Sequence, residues 1–468
     1  MNDLQTRLSE TLGRGGWLAA DEAGGRTRDW LDRFGERPLG IARPASTEEV
    51  AGIVAACAEA GVPIVPQGGN TGLCGAAVAG QAGAVILTLE RMTRIGEADA
   101  DAGCIEVEAG AVLSDLHSAL DGTGLIFPLH LGAEGSARIG GLIGTNAGGS
   151  HAARYGMMQD LVLGVEAVLA DGSVWSGLRA VQKDNAGYQL RKLFCGAEGT
   201  LGIVTKAVLR LHPAPARTET ALLALPDAAS LIAFGTALRR EAGEFVTGLE
   251  FFCETGMELV LRNVSGVDLP LDSRAPFYLL VELTCGSEKV PLSEILEAAL
   301  ESGMEAGHVT DGALAMSEAQ RAHFWRLREE QPEGQRLEGK QLKHDISVPP
   351  GRLAAFLEEA EGICEAALPG VRINPFGHLG DGNVHYNLSP PEGSNDFGDT
   401  AQRLGEEIGA LAERMGGSFA AEHGLGRSKI ALADRLRSET ERRAMARIKA
   451  ALDPEGLMNP GVIVPGDG

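Results

Sequence analysis

Pro66-Gln67-Gly68-Gly69-Asn70-Thr71-Gly72-Leu73-Cys74-Gly75 is the stretch on which the reading of this 468-residue chain turns. Positions without a Cβ let backbone N–H groups converge on one anion, as in phosphate-binding nests. A pyrophosphate suits such a loop; a tight turn between strand and helix is the plainer alternative. Just upstream, STEEVAGIVAACAEAG puts Val50, Ile53, Val54 and Cys57 on one helical face. Ser46 and Glu49 stand at capping-box spacing, and Gly61 ends the helix. The short strand VPIVP leads into the loop and the apolar run AVILTLE follows it, which makes an alternating α/β unit.

A second run of small residues, Ser136 through Gly149, reads as another loop, with Gly140, Gly141, Thr145, Asn146, Gly148 and Gly149. Two such loops in one domain suit a ligand with separated groups. A nicotinamide cofactor is not served, because no G-x-G-x-x-G occurs. Gly334 to Lys340 spells G-x-x-x-x-G-K, but Gln341 replaces the hydroxyl that would hold magnesium and no apolar strand precedes it, so the match is chance.

Further along come the strand-like runs CIEVEAG, LGVEAVL with an Asp171-Gly172 turn, and LGIVTKAVLRL. Pro213-Ala214-Pro215 then marks a boundary, beyond which helical stretches such as LSEILEAALES appear. The length predicts two large domains. They are placed at 1–215 and 216–420, and residues 421–468, too short to fold alone, are expected to pack back on the first.

With 64 acidic and 41 basic residues the chain carries −23, which disfavours nucleic acid and anionic membrane surfaces. An anionic substrate therefore needs locally placed cations. Seven scattered cysteines, none in C-x-x-C, read as reduced thiols of a cytoplasmic protein. The N-terminal residues lack a signal-peptide core and no stretch approaches the ~18 apolar residues of a membrane span.

In Phe376-Gly377-His378-Leu379-Gly380-Asp381-Gly382-Asn383-Val384-His385-Tyr386-Asn387 two histidines stand seven apart around Gly-Asp-Gly. A continuous strand would send them to opposite faces, whereas a turn at 380–382 folds them toward one point, with Asn387 on the face of His385. Glu422 offers a third ligand, followed by His423 and by Gly424 and Gly426, which ease close backbone approach. Two histidines and a carboxylate leave coordination positions open, as catalytic metals require; a satisfied polar cluster is the plainer alternative.

The runs PQGGNTGLCG, GTNAGGSHAARYG, KDNAGYQLRKLFCGAEGTLGIVTKAVLRL, FGHLGDGNVHYN, EHGLGRSK and DPEGLMNPG together closely resemble FAD-linked D-2-hydroxyacid dehydrogenases, vanillyl-alcohol-oxidase-type flavoproteins, over nearly the whole chain. The resemblance implies an α+β protein: a two-subdomain FAD-binding fold closed by the C-terminal segment, with a ferredoxin-like antiparallel-sheet cap bearing the histidine hairpin. It places Pro66, Gly68, Gly69, Asn70, Thr71, Gly72 and Gly75 along the pyrophosphate. Ser136, Gly140, Gly141, Thr145, Asn146, Gly148, Gly149 and Ile203 would line the rest of the cofactor, with Asn459 near the flavin. Relatives that attach flavin covalently usually carry a histidine in the first loop; Asn70 stands here, so non-covalent FAD is expected.

The same resemblance makes His378, His385 and Glu422 ligands of zinc or another divalent ion and His423 the general base. Arg328, Lys343 and Asn387 become substrate-binding residues. Lys343 favours a dicarboxylate, D-2-hydroxyglutarate, over D-lactate, D-malate or glycolate. Pro332 departs from the pattern, since relatives commonly have a hydroxyl residue there. The expected electron acceptor is an electron-transfer flavoprotein or a quinone, and a homodimer is compatible with the reading. The rivals are an oxidase that reduces oxygen directly, a non-catalytic metabolite-binding protein, and a metal-dependent hydrolase without flavin.

Overall fold

The computed structural model describes residues 2–465. It divides into two compact units, one of Met1–Gly149, Tyr155–Pro213 and Glu422–Gly468, the other of Ser150–Arg154 and Ala214–Ala421.

In the first unit the helix Thr47–Ala60 buries Val50, Ile53, Val54 and Cys57. Ser46 Oγ accepts the Glu49 N–H at 3.2 Å. The return bond goes to a different donor than the spacing predicts: the Glu49 carboxylate accepts from Ala45 N–H (2.7 Å), one residue before the cap. Gly61, at φ 62°, ends the helix in the left-handed conformation that glycine adopts at little cost. Ile64–Gln67 and Val85–Thr88 then pair in parallel within a sheet ordered Trp17–Ala19, Gly40–Ala42, Val85–Thr88, Ile64–Gln67.

A second, antiparallel sheet runs Cys104–Glu108, Ile203–Arg210, Val162–Val168, Val174–Gly177. Its last hairpin closes at Gly172 (φ 81°), where the Leu169 N–H donates to the Ser173 carbonyl. One apolar cluster joins Ile64 and Leu87 of the first sheet to Val107 and Val165 of the second. The C-terminal residues belong to the same core through buried Met458, and the Ile64 and Asn459 N–H groups exchange bonds with Leu457 and Ile64 carbonyls at 2.9 and 2.8 Å.

The second unit is built on a seven-stranded antiparallel sheet. Its order is Asp311–Leu314, Arg217–Leu225, Phe277–Cys285, Val246–Cys253, Arg372–His378, Asn383–Ser389, Asp345–Ser347. Side chains alternate between faces with period two, so register decides which residues meet. Leu223, Leu279, Phe251, Val384 and Leu388 share an apolar core with residues of the helices Ala228–Ala242, Leu292–Glu305 and Leu353–Ala367. Burying each large aliphatic side chain there contributes about 1.5–3 kcal/mol. The opposite face is mixed. Over its central strands Phe252, Tyr278 and Phe376 pack with Met257, Val260, Phe324 and Leu327 of the helices Glu254–Asn263 and Glu318–Glu329. Toward the far strands that same face turns polar.

Candidate active site

In the first unit the glycine loops pack backbone on backbone. A Cβ on Gly68 would lie 3.1 Å from the Gly141 Cα, and one on Gly69 would collide with the Ser136 carbonyl. Gly69→Ala is therefore expected to push the two segments apart at a cost of about 1–3 kcal/mol. The variant should hold FAD roughly ten- to hundredfold more weakly, measured as flavin released on dilution.

The second stretch differs from the expected loop. Ile139–Thr145 is a helix burying Ile139, Leu142 and Ile143, whose i, i+3, i+4 spacing outweighs the low helix propensity of its glycines. Those glycines serve close approach: Gly140 N–H donates to the Ala109 carbonyl at 2.7 Å. Asn146 (φ 50°) caps the helix and accepts the Gln159 N–H at 2.8 Å.

Pro66, Gly68, Gly140, Gly141, Thr145 and Ile203 line one cleft with about 750 Å³ of empty volume, its open mouth included. Asn70 adopts φ 55° and donates to the Arg28 carbonyl at 2.8 Å. Thr71 is half-buried, Gly72 and Ser136 are exposed, and Gly75 (φ 75°) backs on the Phe34 ring. Gly148 faces the Glu422 carboxylate, and Gly149 lies against the His130 carbonyl.

Asn459 is a clamp. Its Nδ2 donates to the Ala76 and Glu198 carbonyls (2.9 and 2.7 Å) and its Oδ1 accepts from Arg427 (3.1 Å). Burial pushes the Arg427 guanidinium down to about 10, still charged at neutral pH. Glu198, in the cleft wall, accepts the Leu425 and Gly426 N–H groups, each at 2.9 Å. Desolvation outweighs these bonds and raises its pKa. Sequence reasoning missed both side chains, although each sits inside a quoted motif, CGAEGT and EHGLGRSK.

In the second unit, Arg372–His378 and Asn383–Ser389 form a hairpin closed by Leu379–Gly382. Gly382 (φ 82°) donates its N–H to the His378 carbonyl at 3.0 Å, and Asp381 Oδ1 accepts the Asn383 N–H at 3.0 Å. The turn brings the histidine rings together, centroids 5.9 Å apart. Phe376 pairs with His385 and His385 with Asp345, while Glu250 pairs with His378, so all five share the polar face.

Glu250 organises this face. Its Oε1 lies 2.6 Å from His378 Nδ1 and its Oε2 2.9 Å from Arg328 Nη2. Burial opposes its ionisation, but the charges of His378 and Arg328 prevail and hold its pKa below the usual carboxylate value. Because the carboxylate accepts at Nδ1, Nε2 is the His378 nitrogen left to act as a ligand once it carries no proton. Arg328 also lies over the Phe376 ring, 5.0 Å from the centroid. A parallel arrangement surrounds Glu282, which accepts from Trp325 Nε1 at 2.7 Å and lies 3.5 Å from His151 Nε2. None of Glu250, Glu282 or His151 was singled out from the sequence; an acidic residue alternating with apolar neighbours in a strand was the signal available.

Asp345 pairs with His385 and Leu342 bridges Leu388, which sets Lys343 opposite Asn387. Lys343 has an exposed surface, yet its ammonium pKa is lowered by desolvation and then by Arg336. Asn387 is buried and pairs with Asn374. Glu422 directly follows Ala421, whose N–H donates to the Asp345 carbonyl at 3.4 Å. Local connectivity thus leads the chain past His385. His378, His385 and Asp345 belong to the second unit, and Glu422 and His423 begin the C-terminal segment of the first.

Residues 38–177 match an FAD binding domain, and residues 214–463 the C-terminal domain of FAD linked oxidases. The structure of p-cresol methylhydroxylase with substrate bound superposes with a TM-score of 0.78, covering 99% of this chain and 97% of that one at 18% identity, which shows the fold. The fold is that of the vanillyl-alcohol-oxidase-type flavoproteins. D-2-hydroxyglutarate dehydrogenase of Xanthomonas citri pv. viticola is 38% identical over 440 residues, 93% of this chain and 91% of that protein. Mitochondrial D-2-hydroxyglutarate dehydrogenase of Arabidopsis thaliana is 37% identical over 439 residues, 93% and 77% of the respective chains. The chain belongs to this family of FAD-linked D-2-hydroxyacid dehydrogenases and is an FAD-dependent dehydrogenase.

Proposed function

We propose that the chain oxidises D-2-hydroxyglutarate to 2-oxoglutarate with the help of a divalent metal ion. The polar sheet face carries this reading, because it sets Lys343, just ahead of the strand Asp345–Ser347, opposite Asn387 on the strand that bears His385 and beside the one that bears His378. The relatives' substrate supports it as well.

The residues fit both groups. Pro66, Gly68, Gly141 and Thr145 line a cleft within the FAD binding domain, and no histidine stands in the first loop, in keeping with non-covalent FAD. For the metal, His378, His385 and Glu422 supply two neutral nitrogens and a carboxylate, the donor set of an open divalent site, with Glu250 orienting His378 from behind. When bound, the ion lowers the pKa of the substrate hydroxyl and FAD accepts the hydride. An imidazole nitrogen of His423 takes the hydroxyl proton. Lys343 supplies a point charge for the distal carboxylate, and Asn387 adds neutral hydrogen-bonding capacity. Arg328 is already engaged by Glu250 and contributes its remaining donors.

Membership in an FAD-binding family removes the flavin-free hydrolase alternative. The electron acceptor in this reading would be an electron-transfer flavoprotein or a quinone. Among the described residues no helix is long and apolar enough to cross a membrane.

Anaerobic mixing with a panel of D-hydroxy acids tests the reading: D-2-hydroxyglutarate should bleach the flavin fastest. Faster bleaching by D-lactate would overturn the substrate assignment. Lys343→Ala should raise KM for D-2-hydroxyglutarate by roughly tenfold, the scale of one charge-assisted bond near solvent, and leave D-lactate nearly unchanged. Equal effects on both would remove the lysine from distal-carboxylate recognition.

A further inference from the structure

Within the first unit three side chains converge on one point: His117, His130 and Glu134. His117 lies on the helix Leu113–Leu120, and the other two lie between the strand Leu125–Ile126 and the helix Ile139–Thr145. Backbone bonds hold the two segments in register. The Leu113 N–H donates to the Ala137 carbonyl at 2.9 Å and the Ser114 N–H to the Glu134 carbonyl at 3.2 Å.

The imidazoles lie with centroids 4.7 Å apart and planes tilted by 37°. His117 Nδ1 stands 3.4 Å from Glu134 Oε2 and His130 Nδ1 2.9 Å from Oε1. His117 Nε2 lies 3.2 Å from the Phe127 carbonyl, which can only accept, so Nε2 carries the proton. In the neutral ring Nδ1 then turns a lone pair toward a carboxylate oxygen. A positive charge between them resolves the clash. Neutral His130 can meet Oε1 with an Nδ1–H, so a proton on His117 Nδ1 supplies that charge. A divalent ion ligated by the ring nitrogens and the carboxylate supplies it equally.

We infer that His117, His130 and Glu134 form a second metal site, for a zinc-class divalent ion, in the first unit. The donor set is two imidazoles and one carboxylate, and the side chains are 21%, 43% and 30% exposed, open enough for water to complete the coordination. In a tetrahedral zinc site adjacent ligand atoms stand about 3.3 Å apart, close to the His117–Glu134 separation. The His117–Phe127 bond is the outer-shell contact that fixes a ligating ring. Burial works against ionisation of Glu134, but hydrogen bonds and charge from the two imidazoles hold its pKa well below the usual carboxylate range. The site would brace the cofactor cleft, because the His130 carbonyl backs Gly149 and the Ser136 carbonyl backs Gly69.

The test is zinc content per chain after equilibrium dialysis of the FAD-loaded protein against zinc sulfate, for wild type, His130→Asn, Glu134→Gln and His378→Ala. Wild type should retain one equivalent more than either of the first two variants, and zinc should raise its Tm by a few degrees more than theirs. The His378→Ala variant should keep that equivalent, which separates this site from the proposed catalytic one whether or not the latter binds. Bound flavin and far-UV circular dichroism report folding, and Glu134→Gln decides the matter if His130→Asn misfolds. Equal zinc content in wild type, His130→Asn and Glu134→Gln overturns the proposal.

Discussion

The His423→Ala variant is expected to retain FAD and metal while its flavin is reduced by D-2-hydroxyglutarate about 10²–10⁴ times more slowly, the contribution of a positioned general base. His423 has no part in the FAD cleft lining, and the donor set of His378, His385 and Glu422 does not include it. Loss of the imidazole should therefore leave binding intact and slow the chemical step. Single-turnover reduction in the absence of oxygen separates that step from cofactor loss, which would appear as free flavin. Unchanged reduction would strip His423 of its proposed role.

Glu250→Ala should produce the largest loss of stability of any single change on the polar face. Glu250 is 1% exposed and is held at once by His378 and Arg328. Removing one partner of a buried ion pair leaves the other charge uncompensated, at a cost of about 3–5 kcal/mol. The same change frees the His378 ring from its orienting bond, which lowers metal affinity by roughly 10–100-fold. Urea unfolding and metal titration read the two effects separately. A midpoint shift worth under about 1 kcal/mol would mean that the Arg328 guanidinium is solvated or finds another acceptor. Glu250→Gln keeps the shape and should restore part of the packing but not the charge pairing.

Periodicity in the sequence sufficed for the helix at 47–60, because apolar residues at helical spacing bury one face wherever the helix lies. It also sufficed for the strands around the first glycine loop and for the histidine hairpin, since Gly-Asp-Gly permits few backbone paths. The stretch at 139–145 misled for an identifiable reason. Its glycines point to a loop by propensity, while Ile139, Leu142 and Ile143 drive a helix by burial, and tertiary packing decided the contest. Neither Glu250 nor Glu198 was legible, because a lone acidic residue in an apolar strand or a glycine-rich turn carries no sign of its partners.

The chain's own order of residues thus determined its flavoprotein family, the alternating α/β opening of the first unit, and which histidines and glutamate were worth pairing, since each is written in local spacing. Which carboxylate steadies His378, which residue stands opposite Lys343, and that His117 meets His130 and Glu134 were decided by tertiary structure alone. Those contacts depend on strand register and on segments brought together by burial of a shared core, and neither is encoded within any short window of sequence.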